Sequence, residues 1–175
     1  NDNIQVDIFF HHFNIDVFNK LINDNIGSYS YYVIMPANLV GVKNSVQNLP
    51  KDKVYMLDQA HEELAEYPVI YQNFEKDIFN GLSSGLEKLN NYNKLVLLFS
   101  EEKQPKGILK GFQKFCKQHH ILSEIISSIK NRKAVKGEVY LVLDDKNLIR
   151  IIKKLKEAKL TLAKDIGVIS CNDTF

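Results

Sequence analysis

The chain predicts an α/β fold built from parallel sheets, and three observations carry that expectation. Short β-branched apolar runs alternate with amphipathic helical stripes along all 175 residues. Repeated β-α-β order implies parallel strands joined by right-handed crossovers. A polar break, Asn90-Asn91-Tyr92-Asn93, divides the pattern into two series. The expected architecture is therefore two doubly wound parallel-sheet subdomains, residues 1–91 and 92–175.

In the first series, residues 4–10 read as a strand with apolar side chains on both sides of the pleat. Asn14 is a good N-cap, because its side chain can accept from an orphan amide of a first helical turn. Val17, Phe18, Leu21 and Ile22 recur at helical spacing, and Gly27 fits the stop. A strand over 31–35 ends at Pro36. A helix is expected over 39–48, weakened by Gly41 and β-branched residues. Residues 54–57 form a short buried strand. The run Tyr67-Pro68-Val69-Ile70-Tyr71 is extended, since the residue before proline avoids the helical region. Ile78, Leu82, Leu86 and Leu89 then make one helical stripe.

The second series opens with a strand over 95–99. Its first helix carries Ile108, Phe112, Phe115 and Cys116 on one face. A short strand is expected over 124–129, followed by a basic loop over 130–137. Residues 139–143 are a strand, and Leu148, Ile151, Ile152 and Leu155 form the next helix. The last strand covers 166–170.

Composition is that of an ordinary globular protein, with 45% hydrophobic and 25% charged residues. No apolar run reaches the roughly 20 residues a membrane helix needs. A formal net charge of +2 is too small to predict nucleic-acid binding by this chain. Cys116 and Cys171 fall in apolar patterns and read as buried thiols of a reducing cytosol.

The final segment, Asp165-Ile166-Gly167-Val168-Ile169-Ser170-Cys171-Asn172-Asp173-Thr174, carries the functional signal. A strand buried on both faces ends in side chains rich in hydrogen-bonding groups. Open α/β sheets place their ligands at such carboxyl ends. This segment resembles the signature of the lactose-repressor/ribose-repressor type of sensor domain, with Cys171 in place of the usual Tyr or Phe. Three other segments resemble that family in the same order. They are Lys106-Gly107-Ile108-Leu109-Lys110-Gly111-Phe112, Tyr140-Leu141-Val142-Leu143-Asp144-Asp145, and the stretch from Tyr71 to Gly85, which looks like the long helix leading to the hinge.

The resemblance implies a periplasmic-binding-protein-like type I fold, incomplete here. Family members begin with a strand and helix that this chain lacks, and they continue beyond the Asn-Asp segment. The loop over 130–137 sits where many relatives have another helix. A consequence is exposed apolar surface where further elements would pack. The implied function is effector sensing in a bacterial transcriptional regulator, with a sugar or related polyhydroxy metabolite bound between the subdomains. DNA binding would belong to a module outside this chain, of helix-turn-helix or gluconate-repressor winged-helix type. A cytoplasmic homodimer without a cofactor is implied. A secreted or periplasmic solute-binding protein of the same fold is the alternative, and an α/β enzyme using Asp144 or Asp173 as a base is a weaker one.

Sugar recognition uses carboxylates and amides against hydroxyls, a cation against further oxygens, and an aromatic over the ring. The candidate ligand-binding residues are Asp58, Tyr71, Lys106, Asp144, Asn172 and Asp173, each near a strand end. Caps and solvated surface residues are the bland alternatives, and for Tyr71 a core position. No catalytic or metal-binding set is expected. His11 and His12 would point to opposite faces of a strand, and His119-His120 sits at a helix end, where positive charge suits the dipole. Cys116 has no His or acid at a spacing that would activate it. Neither a Gly-x-Gly-x-x-Gly nor a P-loop motif is present; Gly107 and Gly111 sit within a helix.

Overall fold

The computed structural model describes residues 4–171. Asn172 and Asp173 lie outside the described residues. The chain divides into two compact units, 1–72 and 73–175. The polar break at Asn91 falls inside the second unit, between its helices and its first strand.

In the first unit, α1 spans Ile15–Asp24, β1 Tyr32–Ile34, α2 Lys43–Val46, β2 Val54–Asp58 and β3 Val69–Tyr71. The strands pair in parallel in the order β1-β2-β3, with Tyr32 opposite Val54 and Met56 opposite Val69. Asn14 caps α1 as its side chain predicts: Oδ1 accepts from the amides of Asp16 and Val17 at 2.9 and 3.1 Å. The helix expected over 39–48 contracts to α2. Gly41 at φ +80° bends the chain immediately before it.

One expected strand does not form. Residues 4–10 carry the alternating pattern but join no ladder, and Ile4, Val6, Ile8 and Phe10 are 69–80% exposed. Among the described residues, side chains anchor the segment: Tyr29 donates its hydroxyl to Asp7 Oδ2 at 2.9 Å, and its ring meets Phe9 edge-on. Alternation specifies a strand's faces, but a strand also needs a neighbour to take its backbone groups. None of the described residues supplies one.

All three strands step across the sheet in one direction. Right-handed crossovers then place every connection on the same face. That face is sealed by Phe18, Val42, Val46, Leu49 and Leu64 against Tyr32, Ile34, Val54 and Met56. The opposite face, bearing Val33, Tyr55, Leu57 and Ile70, is exposed. Parallel sheets are ordinarily covered on both sides; in this unit one apolar face is exposed.

The second unit contains α3 (Phe74–Ser84), α4 (Leu86–Leu89), β4 (Lys94–Leu98), α5 (Lys106–Gln118), β5 (Ser123–Ile126), β6 (Glu138–Val142), α6 (Asp145–Ala158) and β7 (Gly167–Ser170). Its four strands are parallel in the order β5-β4-β6-β7. β4 and β6 are buried on both faces, as their continuous apolar runs require. One face packs Leu95, Leu97, Val139 and Leu141 against α3, α4 and α5. The other packs Val96, Leu98, Tyr140 and Val142 against Ile151 and Leu155 of α6.

Three expectations need correction here. The stretch from Tyr71 to Gly85 is not one helix. Tyr71 ends β3, and Asn73 caps α3 by accepting from Lys76 N at 3.1 Å. The stripe from Ile78 to Leu89 is broken at Gly85, which separates α3 from α4. The strand expected over 124–129 ends at Ile126; Ile129 leaves the ladder and is buried in the α6-side core instead.

Gly107 and Gly111 have a packing role. Consecutive turns of α5 lie directly on the start of α3. A Cβ at Gly107 would come within 3.0 Å of Phe74 Cβ, and one at Gly111 would overlap the Glu75 carbonyl. The β5–β6 connection has no helix, consistent with the loop read over 130–137. Ile129 and Arg132 hold it in place: Ile129 is buried, and Arg132 reaches Glu124 and Glu138 at 2.6 and 2.5 Å.

Candidate functional site at the strand carboxyl ends

Parallel strands align their carboxyl ends, so side chains just beyond them gather at one edge of a sheet. In the first unit that edge brings Asp58 and Tyr71 together. They are register partners on adjacent strands β2 and β3. Asp58 adopts φ +79°, uncommon for a residue with a side chain. Its carbonyl accepts from Gln72 N at 3.2 Å, which fastens that turn to the end of β3. Tyr71 is exposed.

The loop after β1 belongs to the same edge. The Glu63 carboxylate accepts from the amides of Gly41 and Lys43 at 3.1 and 3.5 Å. Those bonds, the Gly41 amide foremost, hold the Glu63 carboxyl below its ordinary pKa. His61 Nε2 lies 2.9 Å from the Leu39 carbonyl, so Nε2 is the donor. Sequence reading singled out neither residue. Both act across about twenty positions, a separation that local periodicity does not register.

In the second unit, Lys106 follows β4 and Asp144 follows β6, the two central neighbouring strands. Lys106 is the first residue of α5. Its side chain is largely solvated, with Nζ 4.0 Å from Glu101. The loop before it is shaped by Gln104, whose Oε1 accepts from Ser100 N at 2.6 Å. Asp144 is the N-cap of α6. Its Oδ1 accepts from Asn147 N and its Oδ2 from Asn147 Nδ2, both at 2.8 Å. Each oxygen keeps a further lone pair, so capping does not exhaust the carboxylate. Cys171 follows β7 and is exposed rather than buried as expected; its amide donates to the Val142 carbonyl at 3.1 Å. Cys116 is buried, and burial raises its thiol pKa, which keeps it a protonated core residue.

Among the described residues, no group of three or more His, Cys, Asp or Glu side chains could hold a metal ion. His11 is occupied by the Met35 carbonyl and the Phe13 amide, and His119 packs on the Phe115 ring at 4.7 Å. Among the same residues, no helix is long and apolar enough to cross a membrane.

Each unit is thus an α/β unit of parallel strands with polar side chains at the strand carboxyl ends. No protein-family model matches the chain, and no curated protein matches it. Solved structures do. The lac repressor dimer bound to operator and the anti-inducer ONPF superposes with a TM-score of 0.70 at 17% identity, over 92% of this chain and 61% of that one. A probable maltose operon transcriptional repressor from Staphylococcus aureus gives 0.69 at 14% identity, over 92% and 63%. An uncharacterized protein from Actinobacillus succinogenes gives 0.74 at 13% identity, over 95% and 66%. The chain thus has the fold of the lac-repressor-like regulators and spans about 61% of the length of the lac repressor chain it matches.

Proposed function

We propose that this chain is the effector-sensing part of a bacterial transcriptional regulator and is not an enzyme. The supporting observation is the pairing of the repressor fold with polar residues at the strand carboxyl ends of both units. The proposed effector is a sugar or related polyhydroxy metabolite. Asp58, Tyr71, Lys106, Asp144, Asn172 and Asp173 are its proposed contacts. Carboxylate and amide groups pair with vicinal hydroxyls, and an exposed tyrosine suits the apolar face of a sugar ring.

In this reading the effector controls DNA binding by another module of a cytoplasmic homodimer. Control of that kind needs only different effector affinities in two conformations of the sensor. The test is calorimetric titration of the full-length protein with pentoses, hexoses, deoxysugars and sugar phosphates, paired with sedimentation. Saturable binding by a dimer is expected. A monomer that takes up none of them would overturn the proposal.

A further inference from the structure

The N-terminus of α6 carries an inference that rests on the sensor reading above and narrows the chemistry of its ligand. Helix N-termini ordinarily attract anions, because free amides and the helix dipole point outward there. In α6 a side chain of the protein itself already answers part of that preference. The Asp144 carboxylate caps the helix, and Asp145 follows in the first turn.

A second observation lies one turn in. Asn147 is only 9% exposed and occupies the core-facing row that continues with Ile151 and Leu155. A leucine would suit that row without needing any partner. The amide's orientation is fixed, because Nδ2 donates to Asp144 Oδ2 at 2.8 Å. A flipped amide would set two oxygens against each other at that distance. The remaining atom, Oδ1, is buried and has no hydrogen-bond partner among the described residues. It shares a carbon with the nitrogen on Asp144, so it sits beside the cap, at the carboxyl end of β6.

We infer that Asn147 Oδ1 accepts a hydrogen bond from a hydroxyl or ammonium group of the effector, and that this end of α6 selects against anionic ligands. Both groups at this end of α6, the Asp144 carboxylate and the buried Asn147 oxygen, are acceptors. A donor satisfies them. A phosphate or carboxylate on the effector would meet two acidic side chains and find the capping amide already taken.

The experiment is titration calorimetry on the full-length protein with neutral pentoses and hexoses, glucosamine and galactosamine, and the phosphate esters and uronic acids of the same sugars. A neutral or amino sugar is expected to bind at least tenfold more tightly than its own phosphate ester or uronic acid. Asn147→Leu is expected to weaken that sugar by about 5- to 150-fold, the loss of one buried hydrogen bond. Circular dichroism melting checks that the variant folds. If it does not, Asn147→Ala, which removes the same oxygen without adding bulk, takes its place with the same expected loss and the same overturning result. Tighter binding of the anionic partner, or unchanged affinity in folded Asn147→Leu, overturns this inference and leaves the sensor reading standing. Failure of the wild type to bind any member of the panel overturns both.

Discussion

Arg132 Nη2 lies 2.5 Å from Glu138 Oε1, and the Glu138 carboxylate is almost wholly buried at the first position of β6. The buried Tyr140 hydroxyl donates to the other oxygen of the same carboxylate. Lys94 stands 3.6 Å away, and Glu124 is shared between Arg132 and Lys94. The β5–β6 connection has no helix to bury, so this cluster and Ile129 do the anchoring that a helix face performs in a complete crossover.

Arg132→Ala should therefore destabilise the second unit by about 2–4 kcal/mol. The range sits below the full cost of breaking a buried pair, because Arg132 is one-fifth exposed and Lys94 remains near the carboxylate. Urea denaturation followed by far-ultraviolet circular dichroism measures it. A change under about half a kcal/mol would show that the clamp contributes no more than a surface ion pair. Arg132→Ala combined with Glu138→Leu should recover much of the loss, since the uncompensated charge is then gone.

Acid should weaken the fold through its paired carboxylates. The side chains of Arg132 and Lys94 hold Glu124 below its ordinary pKa, Lys136 does the same for Asp165, and backbone amides do so for Glu63. A depressed folded-state pKa contributes stability above the unfolded value and loses it as pH falls through the folded one. Stability should thus hold from neutrality down to about pH 4.5 and decline below it. Thermal melts across pH 3–7 check this. A midpoint that rises on acidification would contradict the assignment.

Alkali acts on a different group. Burial, then the hydrogen bond to Glu138, raises the Tyr140 pKa well above the ordinary phenol range. A raised folded-state pKa contributes stability that is complete below the unfolded value, near 10, and is lost above it. Ultraviolet titration should show Tyr140 ionising only on unfolding. Tyr140→Phe should abolish that component of the alkaline loss.

Two helix glycines should respond in opposite directions to the same substitution. A Cβ at Gly111 would overlap the Glu75 carbonyl, so Gly111→Ala should force α3 and α5 apart at a cost of about 1–3 kcal/mol. Gly81 lies within α3, and a methyl there would meet nothing within 4 Å, so Gly81→Ala should stabilise by up to about 1 kcal/mol. Differential melting temperatures decide both, and equal shifts in the two variants would refute the close-packing account.

The uncovered sheet face should drive self-association of the 175-residue chain. Val33, Tyr55, Leu57 and Ile70 form a contiguous exposed apolar surface by register. Ile70→Lys should reduce concentration-dependent light scattering while leaving the unfolding midpoint nearly unchanged, because Ile70 is already solvent-exposed. Unaltered scattering would mean that association proceeds through another surface.

Much of this fold could be read directly from the residue pattern. The double-sided apolar runs of β4 and β6 and the stripes of α5 and α6 are strong periodic signals. The caps Asn14 and Asp144 stand where side-chain chemistry puts them. The candidate site was legible only as strand ends. Asp58, Tyr71, Lys106 and Asp144 follow from that rule, whereas Glu63, His61 and Asn147 do not. Glu63 matters because of amides about twenty positions away, and Asn147 sits where periodicity asks for a leucine.

Sequence by itself determined the class of fold, the order of its elements and the edge of each sheet where polar groups collect. These depend on periodicities of about two and 3.6 residues and on the hand of the crossover, which are local properties of an L-polypeptide. Tertiary structure alone decided which apolar runs become strands, where a helical stripe breaks and which polar atoms remain unpaired. Residues 4–10 have a strand's alternation but no backbone partner, and Gly85 interrupts a stripe that continues in sequence. Pairing and burial are relations between distant segments, so a pattern within one segment cannot contain them.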